Sequence, residues 1–121
     1  MTPQQQFFKA YVETALWSSM DESNDAGGHP LDRNYGPDDI APRTIQKMKR
    51  DAMNFYRENK RLIGSNATRA GHDFWLTRNG HGAGFWDGDW PSRAGDELTK
   101  ASHAYGSFEL YVGDDGLIYH V

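Results

Sequence analysis

The sequence predicts a single α+β domain over residues 1–121, in which two N-terminal helices precede an antiparallel sheet of about four strands. Three observations lead to this prediction. Apolar residues recur every three to four positions up to residue 63, as in helices lying on a core. From residue 70 onward the apolar spacing changes to two, as in strands. Asn79-Gly80 is a dipeptide typical of tight β-hairpin turns.

Aromatic side chains have to supply much of the core. The sequence holds only 14 Leu, Ile and Val residues against 16 Phe, Tyr and Trp. Each ring can bury about 150–250 Å², so a small core built from rings is expected. The absence of cysteine excludes disulfides, thiolate catalysis and Cys-ligated zinc.

Two helices are predicted before residue 65. The first covers residues 3–17, with Thr2 as its cap and Pro3 in its first turn. The second covers residues 42–63 and ends at Gly64. Its apolar stripe consists of Ile45, Met48, Ala52, Phe55 and Leu62.

Charge is concentrated in two adjoining segments. Residues 21–39 carry six acids and one Arg within a predicted loop over residues 18–41, which is either a disordered, solvated cover or a functional loop. Residues 43–61 carry seven basic and two acidic residues. This basic face of the second helix is either solvated or a site for phosphate or an acidic partner. The net charge of -4 does not favour direct nucleic-acid binding.

Two hairpins are predicted to form the sheet, with a helix over residues 91–105 between them. In the first, residues 72–78 pair with residues 81–87, which places Trp75 opposite Gly84. The glycine-bearing face is either covered by Trp75 and Trp86 or left as an open groove for a ligand or partner chain. The second hairpin joins residues 108–112 to 117–121, with Ile118 facing away from the core. Its predicted core face comprises Phe108, Leu110, Val112, Leu117, Tyr119 and Val121.

The first hairpin also carries the residues that could bind a ligand or partner. These residues are His72, Asp73, Trp75, Arg78, His81, Trp86 and Asp87. The predicted register places His72 opposite Asp87, but it places His72 and His81 too far apart to share a metal ion. The sequence shows no zinc-binding spacing, nucleophile elbow or phosphate loop. No catalytic residue, metal or cofactor is therefore assigned.

Residues 70–87, AGHDFWLTRNGHGAGFWD, resemble a family of small proteins encoded by bacteriophages and related mobile elements. Residues 13–19 (ETALWSS) and 111–116 (YVGDDG) are similar to the same family, so that the resemblance covers most of the chain. It implies a phage origin and action in the cytoplasm of a bacterial host, and it implies no particular reaction. Members often carry a Cys in the second helix, and its absence here argues against essential thiol chemistry.

Two functional hypotheses from different classes follow. The first is a non-enzymatic phage accessory protein that binds a bacterial host protein, as a host-takeover or anti-defence inhibitor. The second is a nucleotide-like ligand-binding or hydrolytic protein with its site on the 72–87 hairpin. In that site Arg78 and His81 would hold an anion, while Trp75 and Trp86 would stack on a ring. No membrane partner is expected, because no apolar run approaches the roughly 20 residues that span a bilayer.

Overall fold

Four α-helices dominate residues 1–23 and 28–121, the part of the chain that the computed structural model describes. They are α1 (Pro3–Ser18), α2 (Pro42–Ile63), α3 (Ala67–Arg78) and α4 (Ser92–His103). The strands form two separate antiparallel pairs, which are β1 (Met20–Asp21) with β2 (His29–Pro30), and β3 (Leu110–Val112) with β4 (Ile118–His120). The prediction of a four-stranded sheet is therefore wrong. The fold is mainly helical, an α+β arrangement with two small hairpins.

The first two helices lie where the sequence predicts them. At the start of α1 the Thr2 hydroxyl accepts a hydrogen bond from the Gln5 amide, and the Gln5 side chain accepts one from the Thr2 amide. This reciprocal pair is a capping box, which satisfies two amides that the first turn leaves without partners. Helix α2 ends at Gly64, whose φ of 58° lies in the region that favours glycine.

The first predicted hairpin is wrong, because residues 67–78 form α3. Residues 73–78 are all buried although Asp73, Thr77 and Arg78 are polar, so the polarity of these residues does not follow their burial and hides the helical period. Asn79-Gly80 ends the helix instead of turning a hairpin. The Gly80 amide donates to Thr77 O and the His81 amide donates to Leu76 O, the paired bonds of a Schellman motif. Gly80 has a φ of 71°, whereas Asn79 keeps a negative φ that a type I′ turn does not use.

Stacked rings fill the core between α1, α2 and α3. The Phe55 and Phe74 rings stack with centroids 4.0 Å apart, and Phe7 packs on both of them. Helices α1 and α3 approach closely at Gly71, where an added Cβ would lie 2.1 Å from the Phe7 carbonyl oxygen. The expectation that aromatic residues replace the missing aliphatics is confirmed by these contacts.

The irregular segment 79–91 packs along one side of α3 and does not pair with it as a strand. The Phe85 amide donates to the Thr77 hydroxyl at 3.1 Å, and Gly84 lies against the same residue. The Trp90 indole donates to the Asp73 carboxylate at 2.7 Å. The next helix, α4, is somewhat shorter than the predicted span of residues 91–105. Thr77 and Asp73, one turn apart on α3, therefore position the segment that contains Trp86 and Asp87.

The predicted loop over residues 18–41 contains structure in its described part. Strands β1 and β2 pair, two 3₁₀ turns follow at Leu31–Arg33 and Pro37–Asp39, and Leu31 is fully buried. Residues 24–27 of this predicted loop lie outside the described residues.

The second hairpin forms, and its predicted core face is confirmed for Phe108, Leu110 and Val112 but is wrong in β4. Val112 pairs with Ile118, and Ile118 is fully buried, while Tyr111 and Tyr119 pair on the outer face. The turn has three residues between Gly113 and Leu117, and its last residue lies in the left-handed region. The resulting register differs from the one that the predicted core face of β4 requires. Because side chains alternate along a strand, this difference reverses the face of every residue in β4.

Candidate functional site

The predicted binding residues separate into buried and exposed groups once α3 replaces the hairpin. Four of them, His72, Asp73, Trp75 and Arg78, lie on α3, where successive side chains point about 100° apart. The predicted strand would place His72 and Arg78 on one face and Asp73 and Trp75 on the other, and the helix does not keep this grouping. His81, Trp86 and Asp87 follow on the irregular segment, and all three are exposed.

Arg78 is buried and holds three helices and the end of α4 together. Its Nη1 donates to the Tyr11 hydroxyl at 2.8 Å and to the Asp51 carboxylate at 3.1 Å. Its Nε donates to the Gly106 carbonyl at 2.8 Å, and its Nη2 donates to the Tyr105 carbonyl at 3.1 Å. The side chain is 2% exposed, and each of the three guanidinium nitrogens donates at least one hydrogen bond within the protein. This arrangement supports a structural role for Arg78 and leaves the predicted anion site without its cation.

The two tyrosines near Arg78, Tyr11 and Tyr105, have raised pKa values. Burial raises the pKa of the Tyr11 hydroxyl far above its ordinary value, and the nearby Arg78 only partly opposes this effect. Burial also raises the pKa of Tyr105 to about 12, and the hydrogen bond from its hydroxyl to Glu58 adds to the shift. Both hydroxyls therefore stay neutral at physiological pH.

Trp75 is used in the core, where it is 2% exposed. Its indole N–H donates to the Ser18 hydroxyl at 2.8 Å, and its ring packs edge-on against Tyr11 and Phe108. The predicted glycine-bearing face was expected to be either covered by Trp75 and Trp86 or open as a groove. Trp75 is buried, as the first alternative requires. Trp86 instead remains 53% exposed.

Three of the predicted residues meet in one cleft, which we call the α3 cleft. It has a volume of about 540 Å³. Its lining consists of Ser65, Asn66, Thr68, Arg69, His72, Asp73, Asp87 and Asp89. His72 and Asp87 were expected to face each other across a sheet, and they instead line the same cavity beside the first half of α3. The fold thus brings together residues from α3 and from the segment that packs on it.

His72 and Asp73 form a hydrogen-bonded pair at this cleft. The His72 Nδ1 lies 3.0 Å from one Asp73 carboxylate oxygen, and the other oxygen accepts from Trp90. The carboxylate is buried, whereas the His72 side chain is 41% exposed. Within the described residues His72 Nε2 makes no hydrogen bond, so this nitrogen is available to a ligand or partner. A carboxylate that orients an imidazole in this way is compatible with acid–base chemistry as well as with a structural role.

Trp17 stands beside the same cleft and is not among the binding residues predicted from the sequence. Its ring lies 5.7 Å from the His72 ring at an angle of 31°, and it is 44% exposed. It occupies the last turn of α1, one turn after the exposed Glu13. The sequence does contain one signal that Trp17 is exposed. It lies one helical turn after Glu13, on the polar side of the predicted first helix.

His81 lies away from this cleft. It lines a separate cavity of about 360 Å³ together with Met20, Trp75 and Leu110. Residues 72, 73 and 87 are thus brought together, while residues 75, 78 and 81 are placed elsewhere.

The α3 cleft does not present a metal site in the described part of the chain, since no three His, Asp or Glu side chains there converge on one point. Its carboxylates are instead mixed with the guanidinium of Arg69. None of the helices in residues 1–23 and 28–121 is long and apolar enough to span a bilayer. Comparisons of the chain with models of protein families, with characterised proteins and with solved structures return no match.

Proposed function

We propose that this chain is a non-enzymatic accessory protein of a bacteriophage that binds a bacterial host protein through the surface formed by Trp17 and the α3 cleft. The observation that carries the proposal is the exposure of Trp17, whose ring lies beside His72 at the cleft while most other rings are packed in the core. Exposed tryptophans beside polar clefts are typical of binding hot spots, because the ring loses much water-accessible area when a partner covers it.

The use of Arg78 and Trp75 inside the fold supports binding over catalysis. Both were candidates to hold a small ligand, and both are occupied by internal hydrogen bonds. What remains accessible around the cleft is a mixture of aromatic and polar side chains. Such a mixture is typical of a protein interface with a central anchor and a polar rim.

The resemblance of residues 70–87 to phage proteins supplies the setting of the proposal. A small phage protein acting in the cytoplasm of its host would meet host enzymes and defence proteins, so that host takeover or inhibition of a defence system is the proposed role. The partner in this proposal is a bacterial protein rather than a membrane or a nucleic acid.

Affinity capture from bacterial lysate tests this proposal. The bait is the full chain, and the variants are Trp17→Ala and, as the matched control, Tyr111→Ala, which truncates a similarly exposed ring on the C-terminal hairpin. We expect the wild-type chain to enrich one host protein. The Trp17→Ala variant should bind that protein roughly tenfold or more weakly. The Tyr111→Ala variant should retain the partner. The proposal is overturned if no host protein is enriched over a small acidic protein of the same net charge.

A second candidate function is favoured by the His72–Asp73 pair. A half-exposed imidazole oriented by a buried carboxylate in a cavity of about 540 Å³ could act as a general base toward a nucleotide-like ligand. A thermal-shift screen with nucleotides and divalent metals, run on the wild-type chain and on His72→Ala, tests this alternative. Stabilisation that disappears in His72→Ala would support it, and the absence of any stabilisation would exclude it.

A further inference from the structure

The outer face of α2 carries four arginines in a line, which we call the arginine stripe. It consists of Arg43, Arg50, Arg57 and Arg61, and all four side chains are exposed. At about 100° per residue their directions fall within roughly 40° of one another, opposite the buried residues Met48, Ala52 and Phe55. At 1.5 Å per residue the stripe is about 27 Å long.

The stripe lacks acidic partners among the described residues. On α1 and α4, exposed cations form ion pairs with acidic residues one turn away, as in Lys9–Glu13 and Arg93–Glu97. No carboxylate of residues 1–23 or 28–121 lies within 4.0 Å of a guanidinium of the stripe. Arg43 instead lies over the Tyr119 ring, and Arg57 hydrogen-bonds to Asn54.

The spacing along α2 also brings like charges together. Arg57 is followed by Lys60 and Arg61, and Arg43 is followed by Lys47 at the same one-turn spacing. Like charges three or four residues apart destabilise a helix. A local pattern that opposes stability, with no ion pair at any arginine of the stripe among the described residues, is expected where a surface serves a function.

We infer that the arginine stripe binds an acidic segment of the protein partner, an inference that rests on the proposed function. Arginine is suited to this role because its planar guanidinium binds a carboxylate through two parallel hydrogen bonds. A partner segment of about eight extended residues covers about 27 Å. Acidic side chains along that segment would supply the counter-charges that the fold itself does not provide.

The surroundings of the stripe favour an acidic protein segment over a nucleic-acid backbone. Arg43 shares its cleft with Asp114 and Asp115 on the C-terminal hairpin. A phosphate backbone running along α2 would continue into these carboxylates, whereas a short protein segment can end before them. The net charge of -4 likewise opposes the approach of a long polyanion.

The test measures binding of a labelled peptide of about twelve residues, rich in glutamate, to the full chain at about 50 mM salt. The variant is Arg50→Gln/Arg57→Gln, and the matched control is Arg33→Gln/Arg93→Gln, which removes two exposed arginines outside both α2 and the α3 cleft. We expect the α2 variant to bind the peptide roughly three- to thirtyfold more weakly, and the control to change by less than about twofold. Circular dichroism should show unchanged helix content in both variants, because all four side chains are exposed.

Several outcomes would overturn the inference. Equal loss in both variants would mean that net charge, and not the stripe, attracts the peptide. Equal binding of the same peptide with glutamine in place of glutamate would exclude carboxylate recognition. Tighter binding of a single-stranded oligonucleotide of similar length would assign the stripe to phosphate, and a salt-sensitive dimer lost in the α2 variant would assign it to a second copy of the chain.

The same variant separates this inference from the proposed function. A host protein that is captured equally well by the wild-type chain and by Arg50→Gln/Arg57→Gln overturns only the role of the stripe. Failure to capture any host protein, with normal binding of the glutamate peptide, overturns only the proposed host-protein function.

Discussion

Replacing Arg78 with methionine should destabilise the fold by about 3–5 kcal/mol, because the change breaks a buried ion pair from one side. Methionine removes every hydrogen bond that the guanidinium donates. The buried Asp51 carboxylate then keeps only the ammonium of Lys47, which lies 3.2 Å away and is itself partly exposed. The carbonyl groups of Tyr105 and Gly106 lose their donors as well.

The magnitude follows from the number of groups left without partners. Loss of one partner from a buried pair costs about 3–5 kcal/mol, and an unsatisfied buried acceptor costs about 1–3 kcal/mol. The two costs are not additive, because relaxation and water satisfy part of the groups that lose their partners. A total stability of about 5–15 kcal/mol is ordinary for a domain, so the loss removes a large share of it. The corresponding fall in Tm is roughly 10–25 °C.

Urea denaturation followed by far-ultraviolet circular dichroism measures the loss. The control is Arg93→Met, since the Arg93 side chain is 93% exposed and its change should stay within about 0.5 kcal/mol. The double variant Asp51→Leu/Arg78→Met should be more stable than Arg78→Met alone, because it also removes the stranded carboxylate. A loss below about 1.5 kcal/mol for Arg78→Met, or no recovery in the double variant, would refute the assignment of Arg78 as a structural centre.

Three further predictions concern the fold. Gly71→Ala should destabilise by about 3 kcal/mol or more, because its Cβ would meet the backbone of α1, whereas Gly82→Ala faces open space and should be neutral by the same urea assay. Trp90→Phe should cost about 1–3 kcal/mol, since one oxygen of the buried Asp73 loses its donor; an unchanged denaturation midpoint would contradict this role. The raised pKa of Tyr105 means that the folded state holds its phenol proton longer than the unfolded chain, which titrates near pH 10. The stabilisation is therefore complete below about pH 10 and is lost as the pH rises through about 12, so alkaline unfolding should depend less steeply on pH in Tyr105→Phe.

The extent of sequence-based prediction differs sharply between α2 and α3. Helix α2 is amphipathic, so its buried stripe and its charged outer face are both visible in the residue order. Helix α3 is buried along its second half even at the polar residues Asp73, Thr77 and Arg78, so polarity does not mark an exposed face there and gives no diagnostic period. Asn79-Gly80 added a misleading signal, because a glycine with positive φ serves a hairpin turn and a helix C-terminus equally well.

The candidate site was likewise predictable only in part. The residue types were identified from the sequence, since His72, Asp73 and Asp87 do line one cleft. Their arrangement was not, because it depends on how segment 79–91 packs on α3. Trp17 was missed, since its neighbour His72 lies 55 positions away in the chain and no local pattern relates the two.

The residue order was sufficient to predict the ring-built core, helices α1 and α2 with their ends, and the separation of acidic and basic segments. The tertiary structure alone decided that residues 67–78 are helical, that Arg78 and Trp75 are internal, and that Trp17 stands at the α3 cleft. The physical reason is that a partly exposed element records its environment in the alternation of polar and apolar residues. The second half of α3 is buried at polar and apolar residues alike, so its structure follows from the neighbours that the rest of the chain brings to it.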